Sequence, residues 1–201
     1  MIFSCKIDIS FKKEDKMRDF FKKSSGKIFL FKEVGFEKDK VWPESFDPIR
    51  IEMILNSDHN YTDDKCILNF ENFIQIPDYI KRSPKLKREA EIVSKYLNKN
   101  ITSGEEWMMK NWNCLSHPFV ATFFYDYCGK EAEIYFTSKG GVPFPIAEKI
   151  SEKEKCKVSL LWECLDNNRC GTDCWDSGNY IMNYEDDIQR DLDGTIVSHL
   201  S

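Results

Sequence analysis

The residues with the clearest capacity for chemistry are three cysteines towards the end of the chain. Cys164, Cys170 and Cys174 lie close together, and thiolates are favoured zinc ligands. The spacings leave five and three residues between them, and no Cys-x-x-Cys pair occurs in the sequence. Because zinc sites are usually built from such close pairs, we predict no metal site and interpret these thiols as core or turn residues.

A second candidate for chemistry is the pair Cys114 and His117, which could form a thiolate nucleophile with a histidine base. No third group at a readable spacing would orient that histidine. No recognisable catalytic set is present elsewhere. We therefore expect a protein that is not an enzyme and needs no cofactor, with an enzyme of unfamiliar site as the alternative.

A third candidate is the turn Lys139-Gly140-Gly141, which precedes Pro143 and a predicted helix. Backbone N–H groups at a helix N-terminus can bind an anion, and Lys139 would supply the counter-charge. The sequence lacks both the P-loop and the dinucleotide-binding glycine patterns. The same residues also suit a tight turn between a strand and a helix, so both interpretations stay open.

Carboxylates interleaved with aromatic residues form the fourth candidate. We predict a partner-binding surface that comprises Asp173, Trp175, Asp176, Glu185, Asp186 and Asp187. Tyr180 lies within the same stretch, and Asp191 and Asp193 follow it. Aromatic anchors among carboxylates suit a basic groove, such as one that normally holds nucleic acid. A solvated acidic surface without a partner is the plainer alternative.

The distribution of charge supports this choice of surface. Residues 1–50 hold 12 lysines and arginines against 9 aspartates and glutamates, whereas residues 160–201 hold 2 against 9. The acidic end should attract basic protein surfaces and repel nucleic acid. The start of the chain alternates in hydrophobicity, and no run reaches the roughly 20 apolar residues of a membrane span. We expect a cytoplasmic protein that does not enter the membrane.

The elements that must position these residues follow from periodicity. Alternation and strand-forming composition predict strands at Ile2–Ile9, 28–34, 49–55, 66–76, 119–127, 132–136, 158–164 and 174–184. Helical spacing or caps predict helices after Ser10, Ser83, Ser103 and Pro143. Strand hairpins mixed with helices indicate an α+β fold, with a mostly antiparallel sheet and helices packed on one face.

Four segments of the chain resemble a family of uncharacterised proteins from conjugative plasmids and bacteriophages, including a phage of insect endosymbionts. They are FENFIQIPDYI, the NWN element, FTSKGGVPFPIAEKIS and KVSLLWECLDNNRCG. The matching positions are Phe73–Pro77, Trp112–Asn113, Thr137 with Pro143 and Pro145, and Cys170–Gly171. The family's second tryptophan is missing, and Ser138-Lys139-Gly140-Gly141 stands where the family has Trp-Ser. The resemblance covers roughly residues 66–185.

The resemblance implies a ferredoxin-like C-terminal part and a mobile-element setting. We expect residues 1–201 to form one compact unit, with a possible division into 1–100, a ferredoxin-like 101–185 and an acidic tail 186–201. The implied function is binding and inhibition of a host protein with a basic surface, such as a CRISPR-type defence component, by protein–protein contact that includes mimicry of nucleic acid as one mode. The alternative is a nucleic-acid or nucleotide-binding module that uses the Gly140–Gly141 turn or the sheet face, whose aromatic candidates are Phe119, Phe123, Tyr125, Tyr135 and Phe136.

Overall fold

The computed structural model of the protein describes residues 1–13, 16–31, 60–125 and 129–188. In chain order, these ranges contain β1 (Ile2–Ser10), α1 (Lys16–Ser24), β2 (Gly26–Leu30), β3 (Asn60–Cys66), a 3-10 turn (Phe70–Asn72), α2 (Asp78–Lys81), α3 (Lys87–Leu97), α4 (Gly104–Trp112), β4 (Phe119–Tyr125), β5 (Glu131–Lys139), α5 (Phe144–Glu154), β6 (Lys157–Cys164), β7 (Arg169–Asp176) and β8 (Asn179–Asp187). The strand predicted over 49–55, the carboxylates Asp191 and Asp193, and most of the tail 186–201 lie outside the described residues.

Six strands form one antiparallel sheet in the order β4-β5-β1-β6-β7-β8, and β2 pairs with β3 in a second, two-stranded sheet. The predicted α+β class with a mostly antiparallel sheet is confirmed. The succession β1-α1-β4-β5-α5-β6 with the spatial order β4-β5-β1-β6 is the ferredoxin-like arrangement. It therefore draws on residues from both sides of the division considered near residue 100.

The strand β1 lies in the middle of this sheet because one of its faces is continuously apolar. Phe3, Cys5, Ile7 and Ile9 alternate with polar residues and are buried. Ile7 lies opposite Ile134 of β5 on one side and opposite Leu160 of β6 on the other. These cross-strand pairs place the centre of the core beneath β1.

Helices contribute to the same buried cluster as this face of the sheet. Phe20 of α1, Trp112 of α4 and Ile146 and Ile150 of α5 are all buried in it. The α4 helix begins with the predicted capping box, in which the Ser103 hydroxyl accepts a hydrogen bond from the backbone of Glu106. The cap fixes the start of α4, and the apolar face of the sheet holds the helices in place.

The strand predicted over 66–76 is wrong. Only Cys66 belongs to a strand, and the chain then enters the 3-10 turn. The side chain of Asn69 accepts a hydrogen bond from the backbone of Glu71 at 3.0 Å. This local bond offers the backbone an alternative to a ladder, and Leu68 and Phe70 reach the core from the turn.

An uncharged histidine completes the core between α4 and β4. His117 is only 7% exposed, and its ring centre lies 4.7 Å from that of Trp112. Neither ring nitrogen has a hydrogen-bond partner within the described structure. Burial lowers the pKa of His117 to about 3, from an ordinary value of 6.5.

We expect the free energy of unfolding to fall as the pH drops from about 6.5 towards 3. Across this window the unfolded chain binds a proton at His117 and the folded chain does not. The stability that comes from keeping His117 neutral is therefore fully present above pH 6.5 and is lost progressively as the pH falls towards 3. Urea unfolding of the wild type and of His117→Phe at several pH values measures the effect. The wild type should lose roughly 1.4 kcal/mol per pH unit relative to the variant within the window. A difference between the two proteins that does not change with pH would contradict the assignment.

Candidate functional site

The acidic residues predicted to bind a partner lie on a hairpin formed by β7 and β8. Ser177 and Gly178 connect the two strands, and both have positive φ angles, of 55° and 87°. This is the geometry of a two-residue hairpin turn whose twist matches its strands. The backbone N–H of Gly178 donates to the Ser151 hydroxyl at 3.0 Å, which ties the turn to α5. The single strand predicted over 174–184 is therefore wrong, because the chain reverses inside it.

The strand β8 forms one edge of the six-stranded sheet. All of its residues except Asp186 are exposed, on both faces of the strand. Its four large apolar or aromatic side chains are between 51% and 55% exposed: Tyr180, Ile181, Met182 and Tyr184. Within the described ranges, no strand pairs with the outer side of β8. Such an edge presents both a backbone and an apolar surface to a partner.

Backbone hydrogen bonds show which groups of β8 point outwards. Ile188 donates its N–H to the carbonyl of Asn168, and these residues follow and precede the paired ends of β8 and β7. Because opposed pairs alternate in an antiparallel ladder, the N–H and C=O groups of residues 183, 185 and 187 point away from β7. The N–H of Asp187 accordingly donates to the side chain of Asp186 at 2.8 Å. Asn183 and Glu185 thus offer outward backbone groups in the regular part of the strand.

The carboxylates at the end of β8 are divided between its two faces. Glu185 and Asp187 lie on one side and both pair with Arg169 of β7, at 2.9 Å and 3.8 Å. Asp186 lies on the other side and accepts a hydrogen bond from the Tyr184 hydroxyl, which raises the pKa of Tyr184. Two of the three carboxylates therefore share one guanidinium, and the end of the strand keeps a negative balance.

Two further predicted residues lie on β7 and bind within the hairpin region. Asp173 accepts hydrogen bonds from the Tyr180 hydroxyl at 3.1 Å and from the Trp162 indole at 3.4 Å. Burial raises the pKa of Asp173, against the opposing effect of these two bonds. Asp176 lies 3.8 Å from Lys12. Asp173 therefore orients an exposed tyrosine, whereas Asp176 lies at the end of β7, next to the turn.

The prediction that Trp175 is an exposed anchor is wrong. Its side chain is 4% exposed and packs against the ring of Tyr180 at 5.8 Å between ring centres. β7 is an inner strand, and Trp175 lies opposite the buried Val158 on the face that α5 covers. The aromatic and apolar contact surface consists instead of Tyr180, Ile181, Met182 and Tyr184. The Ser177-Gly178 dipeptide is the signal that could have revealed them, because it marks a turn.

The turn Lys139-Gly140-Gly141 packs closely against Asn113 and Leu115. A Cβ atom on Gly141 would lie 2.2 Å from the carbonyl oxygen of Asn113, and one on Gly140 would lie 2.7 Å from the Leu115 side chain. The Gly140 N–H already donates to the Met1 carbonyl at 3.0 Å. In α5, the next N–H groups that could bind an anion are those of Phe144 and Ile146, and both donate within the turn. The geometry agrees with a tight turn.

We expect Gly141→Ala to destabilise the fold by about 1–3 kcal/mol, the usual range for added atoms in a packed site. The exposed change Lys139→Ala should leave the stability close to that of the wild type. Urea unfolding compares the three proteins, and a thermal melt with added phosphate tests for anion binding. Wild-type stability of Gly141→Ala, or a phosphate-dependent rise in Tm that Lys139→Ala abolishes, would contradict the packing account.

The thiols considered as zinc ligands or as a nucleophile are buried or hydrogen-bonded. Cys164 and Cys170 are buried, and Cys174 lies 3.3 Å from the Ser159 hydroxyl. In the part of the chain that the structure describes, no three His, Cys, Asp or Glu residues are grouped to hold a metal ion. Burial raises the pKa of Cys114 to about 11, and burial lowers that of His117. Both groups are therefore uncharged near neutral pH, unlike an activated thiolate and its imidazolium.

The second face of the sheet, opposite to the apolar face that carries Cys5 and Ile7, has a charge cluster around Lys6. This buried amine lies 3.2 Å from Asp8 and 3.2 Å from Glu133, beside the ring of Tyr135. Burial alone would lower the pKa of Lys6. The bonds to Asp8 and to its other partners outweigh burial, so the pKa is raised overall and the amine stays charged. The proposed aromatic platform is split, because Phe136 is buried on the helical side while Tyr135 lies on this face. The side chains of Phe119 and Tyr125 lie outside the described structure.

Comparisons with known proteins bear on the fold alone. No family model and no curated protein matches the chain. A solved structure, that of protein api92 from Yersinia pseudotuberculosis with the family model DUF1281, is similar with a TM-score of 0.58. The two chains are 9% identical over 92% of this chain and 97% of that one. Within the described residues, no helix has the length and apolar character needed to cross a membrane.

Proposed function

We propose that this chain is a protein-binding module that uses β8 to dock a partner with a basic surface, and that it performs no covalent chemistry. The observation that carries the proposal is the composition of this edge strand. Four exposed apolar or aromatic side chains lead directly into three carboxylates. Apolar contact area next to charge of one sign suits a partner with a hydrophobic patch bordered by lysines or arginines.

The ion pairs already present at the end of β8 do not block such a partner. Arg169, Glu185 and Asp187 are all substantially exposed, and pairs of this kind contribute little to stability. An incoming cation can share these carboxylates with Arg169 at small cost. The excess of three carboxylates over one guanidinium favours a cationic partner and disfavours an anionic one.

The biological setting forms part of the proposal and comes from the resemblance to plasmid and phage proteins. In that setting the partner is a host protein, such as a CRISPR-type defence component in the cytoplasm, and binding inhibits it. Carboxylates spaced along a strand could occupy a groove that normally holds nucleic acid. The likeness to api92 supports the fold of this module and says nothing about its partner.

Nucleic-acid binding receives less support as an alternative function. On the second face of the sheet, the charge of Lys6 is compensated by Asp8 and Glu133. The Gly140–Gly141 turn packs against Asn113 and Leu115. A phosphate backbone requires several uncompensated cations, whereas the turn Lys139-Gly140-Gly141 contains one, the exposed Lys139.

We expect the triple variant Glu185→Gln, Asp186→Asn, Asp187→Asn to lose the partner. Immobilised wild type should retain a basic protein from a bacterial lysate, and raised salt should release it because the contact is partly electrostatic. The purified partner should bind the variant at least about tenfold more weakly, which corresponds to about 1.4 kcal/mol.

The matched control changes the net charge equally on exposed helical positions: Asp19→Asn, Glu91→Gln and Glu148→Gln. This control should retain the partner with wild-type affinity. Equal binding by both triple variants would contradict the role of the β8 carboxylates. Binding of an oligonucleotide by the wild type at low salt would favour the alternative function.

A further inference from the structure

We propose that the partner docks by strand addition, in which an extended basic segment pairs antiparallel with the outer side of β8 and becomes a seventh strand. This inference rests on the proposed function and specifies its binding mode. Backbone hydrogen bonds would supply much of the contact, and side chains would select the sequence. Its occupant is an extended segment with lysine or arginine at its N-terminal end.

The backbone of β8 is prepared for such pairing. Met182 to Asp187 pair with β7 without interruption, and the register irregularity lies nearer the turn. Over this regular run, Asn183 and Glu185 present outward N–H and C=O groups at the spacing of an antiparallel ladder. An added strand would satisfy these groups with no rearrangement of β7.

From Met182 to Asp187, the edge also lacks lysine, proline and a bulge, which are features that usually prevent strand addition. Proteins protect exposed edges with lysine, proline or a bulge in the strand. None of the nine residues of β8 is Lys, Arg or Pro. Both edge strands contain one register irregularity, β4 between Phe119 and Thr122 and β8 beside Ile181. The regular run of β8, from Met182 to Asp187, is the longer of the two regular runs.

The charges along β8 determine the direction and composition of the added segment. Antiparallel pairing places its N-terminal residues beside Glu185, Asp186 and Asp187, and its later residues beside Met182 and Tyr180. Basic residues are therefore expected first and β-branched apolar residues after them. The antiparallel direction is the one that every pair in this sheet already uses. If a second copy of this chain paired through its own β8, the added strand would carry no basic residue.

A labelled peptide tests the proposal directly. The probe is acetyl-Lys-Arg-Lys-Val-Thr-Val-Thr-Ile-Thr-amide, and fluorescence anisotropy with the full chain measures its binding. Two further peptides carry N-methyl groups on alternate residues, one set on odd and the other on even positions. Because the N–H groups of a strand alternate in direction, one methylated set must point at β8 and the other must point away.

We expect one methylated peptide to bind at least about tenfold more weakly than the parent and the other to bind like it, since one or two hydrogen bonds are lost. A peptide with the reversed sequence should also bind more weakly. On the protein, Asn183→Pro removes an outward N–H and should weaken the parent peptide similarly, with circular dichroism confirming its fold. The peptide comparison needs no protein variant, so it decides the question even if Asn183→Pro does not fold.

Absence of binding by the parent peptide, or equal binding by both methylated peptides, would overturn strand addition. A dimer seen by light scattering that the peptide does not dissociate would also overturn the proposal. In that case a second copy of the chain would occupy the edge. The proposed function has a separate readout in the charge-neutralised triple variant. If that variant loses its lysate partner while both methylated peptides bind equally, docking through side chains stands and strand addition fails.

Discussion

The pairing of β1 with β5 and β6 is the interaction on which the rest of the structure depends. In the described sheet, β1 is the strand that joins the β4-β5 hairpin to the β6-β7-β8 meander. Its ladders connect Ile2 to Lys139 and Ser10 to Lys157, so each spans more than a hundred residues of chain. Such non-local pairing carries a large loop-closure cost, and the apolar face of β1 must offset it. Without β1, the meander that carries β8 would have no sheet to extend.

The exposure of β8 follows from this arrangement, because each hairpin of the meander adds a strand one position further from β1. The glycine at position 171 of β7 allows β8 and Trp162 to pack closely on β7. A Cβ atom there would lie 2.7 Å from the Trp162 ring and 2.7 Å from the Tyr184 carbonyl. Trp162 can therefore reach across β7 and hydrogen-bond to Asp173. The core extends under β6 and β7, and Trp175 marks its limit. The side chains of β8 lie beyond that limit and remain available for contact.

Local patterns predicted the elements of this fold better than their positions in it. The alternation from Phe3 to Ile9 identified β1 as a half-buried strand, but its partners lie far away in the sequence. The acidic residues of the site were found from composition, whereas the side of the strand on which each lies depends on the turn at Ser177 and Gly178. Missing that turn made Trp175 look like an exposed anchor. The glycines at 140 and 141 suggested an anion cradle. Their sequence does not show that the Asn113 carbonyl packs against them.

The availability of the outer side of β8 is the central claim of this account, and native-state hydrogen exchange measured residue by residue by NMR tests it most directly. Amides bonded to β7 should exchange slowly, and outward amides should exchange at rates close to those of an unprotected chain. The account predicts slow exchange at Tyr184 and Asp186 and fast exchange at Asn183 and Glu185 in the protein alone. Equal protection of all four amides would contradict it, because the edge would then be covered already.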